Sequence, residues 1–155
     1  MVGVDQQALL MSVANIVTRV PMQIMHLLEK QCEDGVWVLD TGASNHMTGS
    51  RSALSQLDEG VDGTVRFGDG SCVGIYGLGL VVLEGRQQEH KVMTNIYYIP
   101  KLKNNVVSLG QLEENGCKVV LENGFLCVLD QERKLLVKAP CTGNRLYTVK
   151  LGILT

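Results

Sequence analysis

A chain of 155 residues, 45% apolar and 19% charged, supports one globular domain with a sizeable core. Fourteen basic against sixteen acidic side chains leave a formal net charge of −2. That balance supplies neither a basic field for nucleic acid nor a polybasic patch for a membrane surface.

Residues 1–33 carry an apolar stretch at 8–17 that is preceded by Asp5 rather than a basic cluster and is too short to span a bilayer. Arg19 and Pro21 interrupt it, and residues 22–28 fit a short helical turn. The segment reads as a linker, partly helical or disordered, with a docking helix as the alternative. Next comes Val36-Trp-Val-Leu-Asp40, an apolar strand that runs a carboxylate into the turn Thr41-Gly42-Ala43-Ser44. Desolvating an unpaired carboxylate costs several kcal/mol, so a strand that carries one to its end suggests a purpose. Hydroxyls at Thr41 and Ser44 stand close by as donors, and Gly42 permits a tight turn. The bland reading is an aspartate that caps its own turn. His46 and Met47 read as loop packing.

Residues 50–57 predict a short helix or an irregular loop. From Thr64 the pattern is β: Val65 and Phe67 alternate with Arg66, Asp69-Gly70 forms a hairpin turn, and Val73 and Ile75 continue the alternation. The glycines here do not have dinucleotide-binding spacing, and no helix-forming segment follows. Residues 80–84 and 90–99 predict a second hairpin around Gly85-Arg86, closed by Pro100. Residues 106–110 predict a strand ending in glycine, and residues 111–116 a short helix stopped by Asn115-Gly116. Four more strands are predicted at 117–121, 125–129, 134–138 and 145–151. The five cysteines (Cys32, Cys72, Cys117, Cys127, Cys141) form no CxxC, and one is left over in any disulfide scheme, so reduced thiols are expected. The histidines (His26, His46, His90) lack zinc-ligand spacing, and no metal or cofactor is expected.

The loop Asp40-Thr41-Gly42-Ala43-Ser44 behind an apolar strand resembles the active-site loop of retropepsin-type aspartic proteases. The longer stretch 37–49 is similar to the protease region of Ty1/copia-type retrotransposon Pol polyproteins, particularly of plant elements. Val65-Arg-Phe-Gly-Asp-Gly-Ser71, Asn95-Ile-Tyr-Tyr-Ile-Pro-Lys101 and Asn105-Val-Val-Ser-Leu-Gly-Gln-Leu112 extend the resemblance over residues 34–116. It implies an all-β, retropepsin-like closed β-barrel at 34–121 with one short C-terminal helix. The linker 1–33 would precede it, and a β-hairpin extension at 122–155 would resemble the start of the pre-integrase segment. No zinc knuckle or integrase zinc pattern is present, so the resemblance is to the piece between them.

The resemblance also implies roles. Asp40 would be catalytic, with Thr41, Gly42, Ala43 and Ser44 supporting the loop. Thr41 would tie two loops together, and Ser44 would hydrogen-bond the carboxylate. Phe67, Gly68, Asp69, Gly70 and Ser71 would form a substrate-covering flap. Leu109 and Gly110 would sit behind the loop, with Ser108 departing from the family's usual apolar residue.

Aspartic proteolysis needs two carboxylates about 3 Å apart that share one proton, one acting as base on water and the other as acid. The chain has one Asp-Thr-Gly; Asp69 and Asp130 are followed instead by Gly-Ser and Gln-Glu. A homodimer with one Asp40 per subunit is therefore the expectation. Its substrate would be a Gag-Pol type polyprotein, with no direct nucleic acid or membrane partner. The resemblance places it inside the cell, in the cytoplasm, within a virus-like particle when the element is intact. The alternative is a catalytically inactive barrel serving as a scaffold or dimerisation module.

Overall fold

The computed structural model describes residues 17–20, 35–67, 70–84, 90–141 and 146–154. The expected turn at Gly85-Arg86, the flap residues Gly68 and Asp69, and most of the linker lie outside them. The described chain is almost entirely β, with one short helix, in line with the all-β expectation.

Eight strands build the main sheet. β2 (Val36–Asp40), β3 (His46–Thr48), β4 (Gln56–Asp58), β7 (Gly77–Glu84), β8 (His90–Tyr98), β9 (Asn105–Ser108), β13 (Tyr147–Lys150) and β14 (Ile153–Leu154) belong to it. The strand order is β13-β2-β9-β3-β8-β7-β14, with β4 also paired to β7. β2 is interior, antiparallel to β13 and parallel to β9, which suits a strand buried on both faces.

The expected closed barrel is not made by strand pairing, because the two ends of this path do not pair with each other. They are instead successive stretches of chain, separated only by Leu151 and Gly152. Leu151 N–H donates to Gly35 O at 2.9 Å, and Glu84 N–H donates to Gly152 O at 2.8 Å. One segment thus straps the β2 side of the sheet to the β7 side.

Two smaller sheets cover the main one. β1 (Val17–Val20), β5 (Gly63–Phe67) and β6 (Cys72–Ile75) form the first, with β1 parallel to β5. Part of the expected linker is therefore strand. β10 (Lys118–Glu122), β11 (Phe125–Leu129) and β12 (Leu135–Pro140) form an antiparallel second sheet. The helix α1 (Leu109–Glu114) leads into it, near the C-terminal end of the expected barrel segment 34–121. Residues 50–57 give only a 3-10 turn at Arg51–Ala53 followed by β4. Among the described residues no helix is long and apolar enough to cross a membrane.

Period-two alternation divides β2 between two cores. Trp37 and Leu39 enter one cluster with Val107, Leu109, Leu112, Leu126 and Val128, which packs β10–β12 and α1 against the main sheet. Val38 enters the other with Ala43, Met47, Val65, Phe67, Ile75 and Val106, beneath the β5–β6 hairpin. Trp37 is fully buried, and an aromatic ring of that size buries roughly 150–250 Å². By the same alternation Asp40 shares the face of Val38, the hairpin's side of the sheet.

Candidate functional site

Asp40 ends β2 with 7% of its surface exposed, and the next two residues, Thr41 and Gly42, are exposed. The turn therefore brings a nearly buried carboxylate to the molecular surface. Gly42 N–H donates to Asp40 Oδ1 at 2.8 Å, while Oδ2 is buried with no hydrogen-bond partner. Burial pushes the carboxyl above the usual aspartate range, and backbone N–H groups of Gly42 and Ala43 pull part of the way back. A carboxyl that keeps its proton more readily than usual, with one oxygen free of hydrogen bonds, has the character of a group that can both accept and donate a proton.

The other loop residues divide by burial. Ala43 is 3% exposed and belongs to the hairpin-side core; Ser44 is exposed, and its Oγ donates to Asn45 Oδ1 at 2.9 Å. Phe67 closes β5 with its ring in the core cluster that holds Val38 and Ala43. Its N–H donates to Ser71 O at 2.8 Å, and Gly70 N–H donates back to Phe67 O at 3.0 Å. Gly70 has φ +90° with open space where a β-carbon would stand, so the backbone conformation alone demands glycine there. The hairpin and the Asp40 turn thus share one core on one face of the sheet. Leu109 and Gly110 open α1, with Leu109 in the opposite core. Among the described residues no cluster of His, Cys, Asp and Glu could hold a metal ion.

A buried polar network behind the turn escaped the sequence reading. Ser108 pairs with Asp40 across β2 and β9 and is fully buried. Its Oγ donates to Ala43 O at 2.6 Å and accepts from Gln111 N–H at 3.0 Å, capping α1. Its own N–H donates to His46 Nδ1 at 2.9 Å, and His46 N–H donates to Gln111 Oε1 at 3.0 Å. Gln111 Nε2 continues to Thr94 O and Asn95 O, each at 3.3 Å, and Asn95 sits at φ +66°.

Burial lowers the His46 pKa to about 3, so its ring is neutral, and an acceptor at Nδ1 places the proton on Nε2. The signal in the sequence was Ser108-Leu-Gly-Gln111, the spacing of a capping box. His46 stands inside that box and relays the reciprocal bond that Gln111 would otherwise make to the cap.

The family model described as "Pol polyprotein, beta-barrel domain" matches residues 37–117, which contain the turn, the hairpin, β9 and α1. A Nicotiana tabacum protein, "Retrovirus-related Pol polyprotein from transposon TNT 1-94", is 30% identical over 101 residues. That match covers 65% of this chain and 7% of the relative's length. No solved structure matches the chain.

Proposed function

This chain belongs to the retrotransposon Pol polyprotein β-barrel domain family, of the copia-type plant kind, and from that premise we propose that it is one subunit of a homodimeric aspartic endopeptidase. The observation that carries the reading is Asp40 itself. It is nearly buried at a strand end, with one oxygen held by Gly42 N–H and the other buried without a hydrogen-bond partner, beside an exposed Thr41-Gly42 that a second copy could approach.

Two such turns meeting on a two-fold axis bring the carboxylates together. Like charges that close cannot both ionise, so the pair shares one proton. The ionised Asp40 takes a proton from water as the oxygen attacks the peptide carbonyl, while the protonated one donates to the carbonyl oxygen. As the C–N bond breaks, the first passes the water proton to the leaving amine, and the second recovers its proton from the diol hydroxyl that becomes the product's carboxyl. Thr41 would tie the loops, Ser44 would support them, and the hairpin ending at Phe67, Gly70 and Ser71 would cover an extended Gag-Pol type substrate and exclude water. Such an enzyme works where the polyprotein is packed, in a virus-like particle of an intact element.

The test is cleavage of a polyprotein junction peptide. Specific activity should rise with protein concentration, peak at mildly acidic pH, respond to pepstatin and disappear in Asp40→Asn. Wild-type cleavage by Asp40→Asn overturns the reading.

One observation favours the second reading, a noncatalytic scaffold. The strap of β13 and β14 ties both sides of the main sheet within a single chain, so the module does not depend on a partner for those edges. A chain that stays monomeric at high concentration and cleaves nothing supports it.

A further inference from the structure

The Ala43 peptide is held from both sides. Its N–H serves the Asp40 carboxylate, and its carbonyl accepts the Ser108 hydroxyl at 2.6 Å. A serine hydroxyl has one proton to give, and the Gln111 N–H arriving at 3.0 Å leaves that proton for Ala43 alone. Ser108 is itself fixed, because its N–H donates to His46 Nδ1 and its strand position is in register with Asp40. Every one of these groups is at least nine-tenths buried, so a bond lost here is not replaced by bulk water. The neutral His46 ring and the Gln111 amide complete the arrangement without adding charge beside the carboxylate.

We propose that Ser108 is a positioning residue for Asp40, and that by gripping the Ala43 carbonyl it sets the orientation of the turn whose N–H groups hold the carboxylate. The hydroxyl does not touch substrate. Its effect on turnover rests on the endopeptidase reading, whereas its hold on the turn does not.

The test compares Ser108→Thr with Ser108→Val, side chains of one shape that differ by the hydroxyl. Amide hydrogen exchange at Gly42 and Ala43 is read against Trp37–Leu39 in the same strand. Exchange at Ala43 in Ser108→Val should be about tenfold faster than in Ser108→Thr, with the β2 amides equal in both. On a junction peptide, kcat of Ser108→Val should fall about tenfold below that of Ser108→Thr, with KM within about twofold.

Equal exchange in the two variants overturns the proposal, and so does unequal exchange with equal kcat. Should Ser108→Val fail to fold, Ser108→Ala replaces it in the same comparison. If wild-type protein shows no Asp40-dependent cleavage, the endopeptidase reading falls, and the exchange ratio alone decides whether Ser108 holds the turn.

Discussion

Asp40→Asn should abolish cleavage and at the same time make the isolated chain more stable at neutral pH. Asp40 Oδ2 is buried without a partner, and Oδ1 accepts from Gly42 N–H at 2.8 Å. A polar group buried without its hydrogen bond costs about 1–3 kcal/mol in proteins, and a charged one more. Asparagine keeps an acceptor for Gly42 N–H and removes the charge, so a gain of about 1 kcal/mol is expected. For a chain of this size that corresponds to roughly 2–4 °C in Tm.

The sign follows from linkage. Burial raises the folded-state carboxyl pKa above its unfolded value, so the neutral form is favoured by folding. The stabilisation from protonated Asp40 is complete below the unfolded value of about 4 and is lost as pH rises through the folded one. The advantage of Asp40→Asn should therefore be largest at pH 7 and fade towards pH 3. The assay is urea or thermal unfolding of both proteins across that range, dilute enough that no second copy contributes. A variant less stable than wild type at pH 7, or a difference that does not change with pH, refutes the argument that burial strains this carboxylate.

Three other outcomes follow from the packing. A β-carbon on Gly49 would overlap Leu102 O and lie 2.8 Å from Leu102 C and 3.1 Å from Ile99 O, all backbone. Gly49→Ala should lose at least about 3 kcal/mol, seen as loss of the cooperative unfolding transition. His46 should show no imidazole titration by NMR between pH 5 and 8. Its folded pKa lies below the unfolded 6.5, so its contribution to stability is complete above that value and drains away as pH falls towards about 3. Deleting residues 147–155 removes the strand pairs to β2 and β7 and the packing of Tyr147, Val149, Leu151 and Ile153 on the core. Circular dichroism should show a chain that no longer melts cooperatively, a loss of more than about 4 kcal/mol.

Local chemistry wrote much of this protein plainly. An apolar run that stops at Asp40, the alternation through Val65, Phe67, Val73 and Ile75, and the glycine stops at Gly70 and Gly116 are short-range signals, and strands and turns formed where they predicted. The helix was legible for the same reason, although it opens two residues earlier than the pattern suggested. The short helix or irregular loop expected at 50–57 ended in β4, because pairing with the edge of β7 offered those residues hydrogen bonds that an isolated turn could not.

What the sequence settled by itself was the longer strands, in order, and the placing of one carboxylate at a strand end, since periodicity and turn residues act over a few positions; the short strands β1, β3, β4 and β14 were not legible in it. Only the tertiary structure decided that Ser108, His46 and Gln111 meet behind that carboxylate. Residues 46 and 108 are far apart in the chain, and their bond exists because β3 and β9 lie side by side. The same holds for the last strands, whose composition permits any sheet. Their attachment to β2 and β7 was fixed by which edges the rest of the fold left unpaired.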